Sequence, residues 1–409
     1  MKTKSVGTGV GAVVVLFVLL WWAIGPDWRA VVRVKPVGVG VYALTDEQRD
    51  VAFRMADRVP FFVKTRSIEA GNNVRVLPRG DDLNIEMDVD AFLKSLRTAG
   101  FVIVHKGKVR KEFYDLGFGP HKRWISASVN KSFISTLLGA AIEDGLIASV
   151  DQPITDFIPE LKGSGYDGAT LEHLLMMSSG VQWREAYGAP DSEVTKYHSL
   201  RSPGAGKDLQ EGQSLLVDLM ESLPRLHPPG EHYNYNSGES HLIALAVRRA
   251  VDKPLATYFS EKIWKPFGME DDANWFLRAD GEEHGGVMAT TKDYARFGVF
   301  IIEQLKGIGD RVVAPDYLER ATSYQLKTPY GWGYGYQWWV SEPGDFSDPV
   351  FIADGVFGQS IFVDPKRDLV IAANRSWSKP EGVNGQWEAR QKLWKAVQAA
   401  IDKETNFGS

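Results

Sequence analysis

The first clear feature of the hydrophobic pattern is an apolar run from Val6 to Ile24, long enough at about 1.5 Å per residue to cover roughly 28 Å as a helix. Lys2 and Lys4 precede it, Trp21 and Trp22 lie at its far end, and Gly25-Pro26-Asp27 comes next as a stop. Basic residues before such a run and aromatic residues at its end predict a single-pass inner-membrane anchor, residues 1–26, with a cytoplasmic N-terminus and a periplasmic body. A cleaved signal peptide, with the body secreted, is the alternative, although no good small-x-small cleavage site is present. Gly7 and Gly11 form a G-x-x-x-G that reads as small residues of a membrane helix rather than as a dimer contact.

Residues 27–89 are mixed. Val31–Val41 alternates as strands do, and Thr45–Arg58 has helical spacing. A stalk and an N-terminal extension packed on the main body are expected there. The main body is expected over residues 90–405. Phe101–His105 and Val109–Tyr114 are short apolar, β-branched runs around Lys106-Gly107-Lys108, which predicts a hairpin. Val129, Phe133, Leu137 and Ala141, with Ile134, Leu138 and Ile142, recur at helical spacing, so a buried helix is expected from Ser128 to Gly145. Short helices are expected at Ile154–Pro159, Leu171–Met177 and Leu215–Glu221, then longer ones at Ser237–Ala250, Leu255–Phe267 and Thr290–Leu305. Strands return at Tyr336–Val340, Phe351–Asp354, Ser360–Val363 and Leu369–Ala373, and Trp387–Ile401 is a last helix. This order predicts an α+β fold. One antiparallel sheet is built from both ends of the body and flanked by helices, with a mostly helical subdomain inserted at about residues 150–290.

Composition narrows the function. A net charge of −5 over 409 residues argues against a nucleic-acid partner, which needs a basic face. With no cysteine, disulfides, zinc–cysteine sites and cysteine nucleophiles are excluded. There is no H-E-x-x-H, no G-x-S-x-G and no P-loop. His227 and His232 flank a Pro-Pro-Gly turn and read as surface histidines rather than as metal ligands. No metal or organic cofactor is expected, and the sequence leaves the oligomeric state open.

The chemistry lies in Ser128-Val129-Asn130-Lys131, an S-x-x-K that puts two side chains on one helical face. A serine hydroxyl needs a base, and lysine serves as one when burial lowers its pKa. The helix N-terminus also offers backbone N–H groups to an oxyanion. Ser376-Trp377-Ser378-Lys379 is a second match, but Pro380 prevents a helix there and it reads as a decoy. Asn130-Lys131-Ser132, formally a glycosylation triplet, would lie inside the helix and is set aside. After Pro228-Pro229-Gly230, Tyr233-Asn234-Tyr235 and Tyr235-Asn236-Ser237 compete as a Tyr-x-Asn-like motif. The second keeps the spacing from Pro-Gly and begins a helix at Ser237, so Tyr235 is preferred as a second acid/base.

The phrase Trp124-Ile125-Ser126-Ala127-Ser128-Val129-Asn130-Lys131-Ser132-Phe133 resembles the active-site segment of the serine β-lactamase and penicillin-binding-protein superfamily, in particular its class C-like branch. Gly145-Leu146-Ile147, Asp151-Gln152-Pro153-Ile154 and the stretch from Thr170 to Gly180 are similar to the next segments of that branch. Trp183-Arg184-Glu185-Ala186-Tyr187 is similar to the 6-aminohexanoate-dimer hydrolases, the nylon-oligomer hydrolases. The resemblance spans about Ala91 to Ala400. It implies a β-lactamase-like fold and an acyl-enzyme on Ser128, with Lys131 and Tyr235 moving protons and Ser237 lining the substrate site. Aligned to the family's late Lys-Thr-Gly, Ala353 stands for the lysine and Gly355 for the glycine. Lys327-Thr328-Pro329 is a poorer candidate because of Pro329 and a setting that does not read as a strand. The same alignment pairs the N–H groups of Val356 and Ser128 as the oxyanion hole. Loss of that lysine favours small amide or ester substrates over β-lactams. Tyr187, Glu185 and Asp191 are candidate lining of a substrate loop. The rival function on the same fold is a membrane-tethered penicillin-binding-type sensor or cell-wall binding protein with little turnover.

Overall fold

The computed structural model describes residues 15–36, 41–59, 64–200, 205, 210, 213–383 and 385–407. Its strands, in chain order, are β1 Lys64–Ile68, β2 Thr98–His105, β3 Lys108–Tyr114, β4 Trp124–Ile125, β5 Ala273–Leu277, β6 Glu283–Ala289, β7 Leu326–Lys327, β8 Gly333–Tyr334, β9 Trp339–Val340, β10 Phe351–Gly355, β11 Gln359–Asp364 and β12 Leu369–Arg375.

The expected hairpin is β2–β3, and it joins the late strands in one sheet ordered β3-β2-β12-β11-β10-β9-β8-β7. Every pairing in it is antiparallel. Every residue of β2, β11 and β12 is buried, which requires cover on both faces. The alternation along β2 shows how. Val102 and Val104 enter the core shared with helices Asn130–Glu143 and Thr291–Leu305, whereas Phe101 and Ile103 pack with Leu393, Trp394 and Val397 of the C-terminal helix Gln386–Phe407.

A second sheet, ordered β1-β5-β6-β4, was not expected. β5 and β6 fall at the end of the stretch read as mostly helical. β5 is short, and Gly285 and Gly286 interrupt β6, so pattern alone carried little strand signal. Leu255–Phe267 is helical in three pieces, with a π-type turn at Ser260–Trp264. The segment Tyr336–Val340 keeps only Trp339–Val340 as strand, because Gln337 takes a left-handed φ of 62° in the turn before it. Lys327 does lie on a strand, the two-residue edge strand β7, contrary to the sequence reading.

The N-terminal expectations fare unevenly. Of the anchor run, residues 6–14, including Gly7 and Gly11, lie outside the described residues. Among the described residues no single helix is long and apolar enough to cross a membrane. Val15–Ala23 and Gly25–Val34 pass that test only together, and they meet at 108°. Gly25, at φ 77°, makes the bend, and Pro26 then starts a new helix, where its missing N–H costs nothing. Val31–Val34 is therefore helical, not strand; Ala30, Val31 and Val34 pack on Val51, Met55 and Val59. Residues 37–40 lie outside the described set. The helix expected near Thr45–Arg58 is present as Asp46–Met55, begun by a capping box between Thr45 and Gln48.

Candidate active site

β4 is hydrogen-bonded to β6 and leads straight into the S-x-x-K. Ser126 N donates to Val287 O at 2.8 Å, and Val287 N donates to Ser126 Oγ at 2.8 Å. Ala127 then takes φ 45°, an uncommon left-handed conformation for a residue with a side chain, fixed by this pairing. A 3-10 turn, Ala127–Val129, precedes the α-helix Asn130–Glu143, so Ser128 sits one turn earlier than the regular helix. Gly145 has the expected positive φ, 71°. The second S-x-x-K, at Ser376, lies in non-helical chain.

Lys131 is 4 % exposed. Its Nζ donates to Ser128 Oγ at 3.0 Å and to Ser237 Oγ at 3.1 Å. Burial drives its pKa down to about 8, against a smaller upward pull from the Glu185 carboxylate. Tyr235 faces the same ammonium, with Nζ 5.0 Å from the ring centroid, and lines one groove together with Ser128. Burial, then the neighbouring Tyr334 and Glu185, hold its phenol well above the ordinary tyrosine value. It is therefore a proton donor at rest rather than a phenolate. Its ring stacks near Trp339 at 5.9 Å. Of the two tyrosine registers, this is the one that reaches the serine. Tyr233 packs instead against Tyr334 and Trp339. Asn236 caps the next helix, accepting from Glu239 N at 3.2 Å, and Ser237 opens that helix.

Glu185 has a larger part than loop lining. It accepts from Ser237 Oγ at 2.5 Å, Ser237 N at 3.2 Å, Tyr187 OH at 2.8 Å and Trp183 Nε1 at 2.5 Å. It thus anchors the loop to the Ser237–Lys131 pair. The spacing Trp-x-Glu-x-Tyr put all three on one extended stretch, but nothing in it showed that they converge on one carboxylate. Asp191 does not join them; it pairs with Arg184 at the surface.

Gly355 ends β10 against Ser128. A Cβ there would lie 2.7 Å from Ser126 O and 3.0 Å from Ser128 N, so only glycine fits. Val356 comes next in the chain. Ala353 is fully buried in the core, so that position brings no cation to the cleft. Asp354 lines the groove instead, ion-paired to Arg390 at 2.6 Å. His227 and His232 stack at 4.5 Å away from this site, and among the described residues no group of three or more potential metal ligands occurs.

Two cavities meet at Ser128, and both are lined by Ser128 and Val356. The inner pocket, about 90 Å³, also has Tyr42, Phe53, Ile125, His198 and Phe357 in its wall. The outer groove, about 540 Å³, runs past Tyr235, Trp339, Tyr330 and Trp387.

A buried lysine on a serine one helical turn away, beside an antiparallel sheet in which the glycine ending one strand abuts that serine, defines the class: a serine hydrolase of β-lactamase fold. The chain belongs to the β-lactamase family, whose model matches residues 88–393. It is 30% identical over 310 residues to the 6-aminohexanoate-dimer hydrolase of Paenarthrobacter ureafaciens, covering 72% of this chain and 76% of that protein. A Bacillus anthracis structure provisionally named a 6-aminohexanoate-dimer hydrolase superposes with a TM-score of 0.73 at 23% identity, over 86% of this chain and 94% of that one. A provisionally named β-lactamase from Bacteroides dorei superposes at TM-score 0.59 and 19% identity, over 77% and 97%. The resemblance to 6-aminohexanoate-dimer hydrolases read from the sequence is therefore found in both sequence and fold.

Proposed function

We propose that this enzyme hydrolyses amide or ester bonds of small linear substrates through an acyl-enzyme on Ser128. The observation that carries the reading is the 3.0 Å contact between Lys131 Nζ and Ser128 Oγ in a site dry enough to bring the amine to about 8. Neutral Lys131 takes the Ser128 proton as Oγ attacks the substrate carbonyl. The N–H groups of Ser128 and Val356 receive the oxyanion. Tyr235 gives its proton to the leaving nitrogen or oxygen and regains one from Lys131. Water then attacks the ester by the reverse relay, releasing the acid and restoring the serine hydroxyl. Glu185 and Ser237 hold Lys131 in place.

The reading is tested by monitoring an activated ester with time. Steady turnover that disappears in Ser128→Ala supports it. A single stoichiometric burst points instead to a penicillin-binding-type sensor, and turnover retained by the alanine variant refutes the assignment of Ser128.

The N-terminal anchor belongs to the same proposal. Val15–Leu20 and Trp22 are each at least half exposed on a helix that is apolar all round, a surface that water does not favour. Deleting residues 1–26 should move the enzyme from the membrane fraction to the supernatant; an unchanged distribution rejects the anchor.

A further inference from the structure

Tyr235, the group placed to protonate the leaving atom, lines only the outer groove, whereas Ser128 and Val356 line both cavities. A carbonyl carbon on Ser128, with its oxygen toward the Val356 backbone, has its leaving group on the Tyr235 side. Its acyl group must then point the other way, into the inner pocket. That pocket is walled by Tyr42 and Phe53, which precede the residues matching the family model. Tyr42 lies against the loop and the oxyanion turn together. Its ring is 5.0 Å from Tyr187 and 6.2 Å from Phe357, and its hydroxyl is 3.0 Å from His198 Nε2. The segment that carries it is tied to the body. Arg97 donates twice to Asp50, at 2.7 and 2.8 Å, and Ser378 Oγ donates to Asp46 at 3.0 Å. Arg49 lies over the Phe357 ring at 5.1 Å.

We infer that the inner pocket is the acyl subsite and that Tyr42 is the residue that limits it, selecting short apolar acyl groups. This rests on the acyl-enzyme reading of Ser128. The leaving group has the larger groove, with Trp339 and Tyr330, and is selected less by size.

The test is a series of p-nitrophenyl esters from acetate to decanoate with the full-length enzyme and Tyr42→Ala, Tyr42→Phe and Trp339→Ala. Each methylene that the pocket accepts should raise kcat/KM about fourfold until the wall is met. Tyr42→Ala should move the optimum to longer chains by two carbons or more, whatever its effect on acetate. Tyr42→Phe keeps the ring and should keep the wild-type optimum. Trp339→Ala should change KM for all esters without moving the optimum. A uniform loss across the series in Tyr42→Ala, or an unmoved optimum, overturns the inference. If wild type hydrolyses no ester or linear amide, the underlying function fails instead, so the two failures are distinct. Thermal melts of each variant separate a misfolded protein from a changed pocket.

Discussion

Glu185 reaches Lys131 through one hydroxyl, and this makes the pH dependence of acylation predictable. Lys131 titrates at about 8 in place of 10.5, which amounts to ~3 kcal/mol against the ammonium form. Folding thus disfavours the proton. Between about 8 and 10.5 the unfolded chain holds a proton that the folded chain has released, so Lys131 makes stability rise with pH across that window. For catalysis, roughly a tenth of the lysine is neutral at pH 7. The acylation kcat/KM should climb about tenfold per pH unit and level off near pH 8. Lys131 Nζ is 3.1 Å from Ser237 Oγ, which is 2.5 Å from Glu185 Oε1. A carboxylate about 5 Å from the ammonium at an effective dielectric of about 20 is worth up to ~3 kcal/mol. Glu185→Gln should therefore lower the midpoint by about one to two units. Stopped-flow acylation with an activated ester, from about pH 5.5 to 9.5, measures it. The plateau should extend toward about pH 6–7, at a reduced height because the amine is a weaker base. A midpoint that does not move, or a rate that falls as pH rises to about 8, refutes the role given to this pair.

Tyr235→Phe should slow steady-state turnover by about 10²–10⁴-fold with an amide and by less with a p-nitrophenyl ester, whose leaving group needs no proton; equal losses on both would remove the phenol from leaving-group protonation. Gly355→Ala forces a methyl against Ser126 O and Ser128 N, so activity should fall at least tenfold for an overpacking cost of about 1–3 kcal/mol in denaturant melts. Because Ala353 is buried and Asp354 faces the groove, linear esters and amides should be cleaved faster than a chromogenic cephalosporin under matched conditions. The reverse order would mean that the cleft binds the β-lactam carboxylate by another route.

Much of the fold was legible in sequence because its signals are local. The helical periodicity from Val129 to Ile142 requires only that one segment be apolar at a helical spacing of about 3.6. The β2–β3 hairpin and the late strands are bounded by their own turns, and the helical spacing from Thr45 to Arg58 lies within one segment. Ser128 and Lys131 share a helical face by spacing alone, and the phrase around them carried the family. Tertiary structure decided the rest. Glycine-interrupted β6 is a strand because β5 and β4 pair with it, which no periodicity records. Glu185 becomes the anchor of Ser237 and Lys131 only because a loop crosses the start of a helix 52 residues later. Tyr42 reaches the site by packing between Tyr187 and Phe357, which lie far apart along the chain. Spacing along one element fixes which side chains share a face. Which faces then meet across a cleft depends on burial and long-range pairing, and these exist only once the chain has closed on itself.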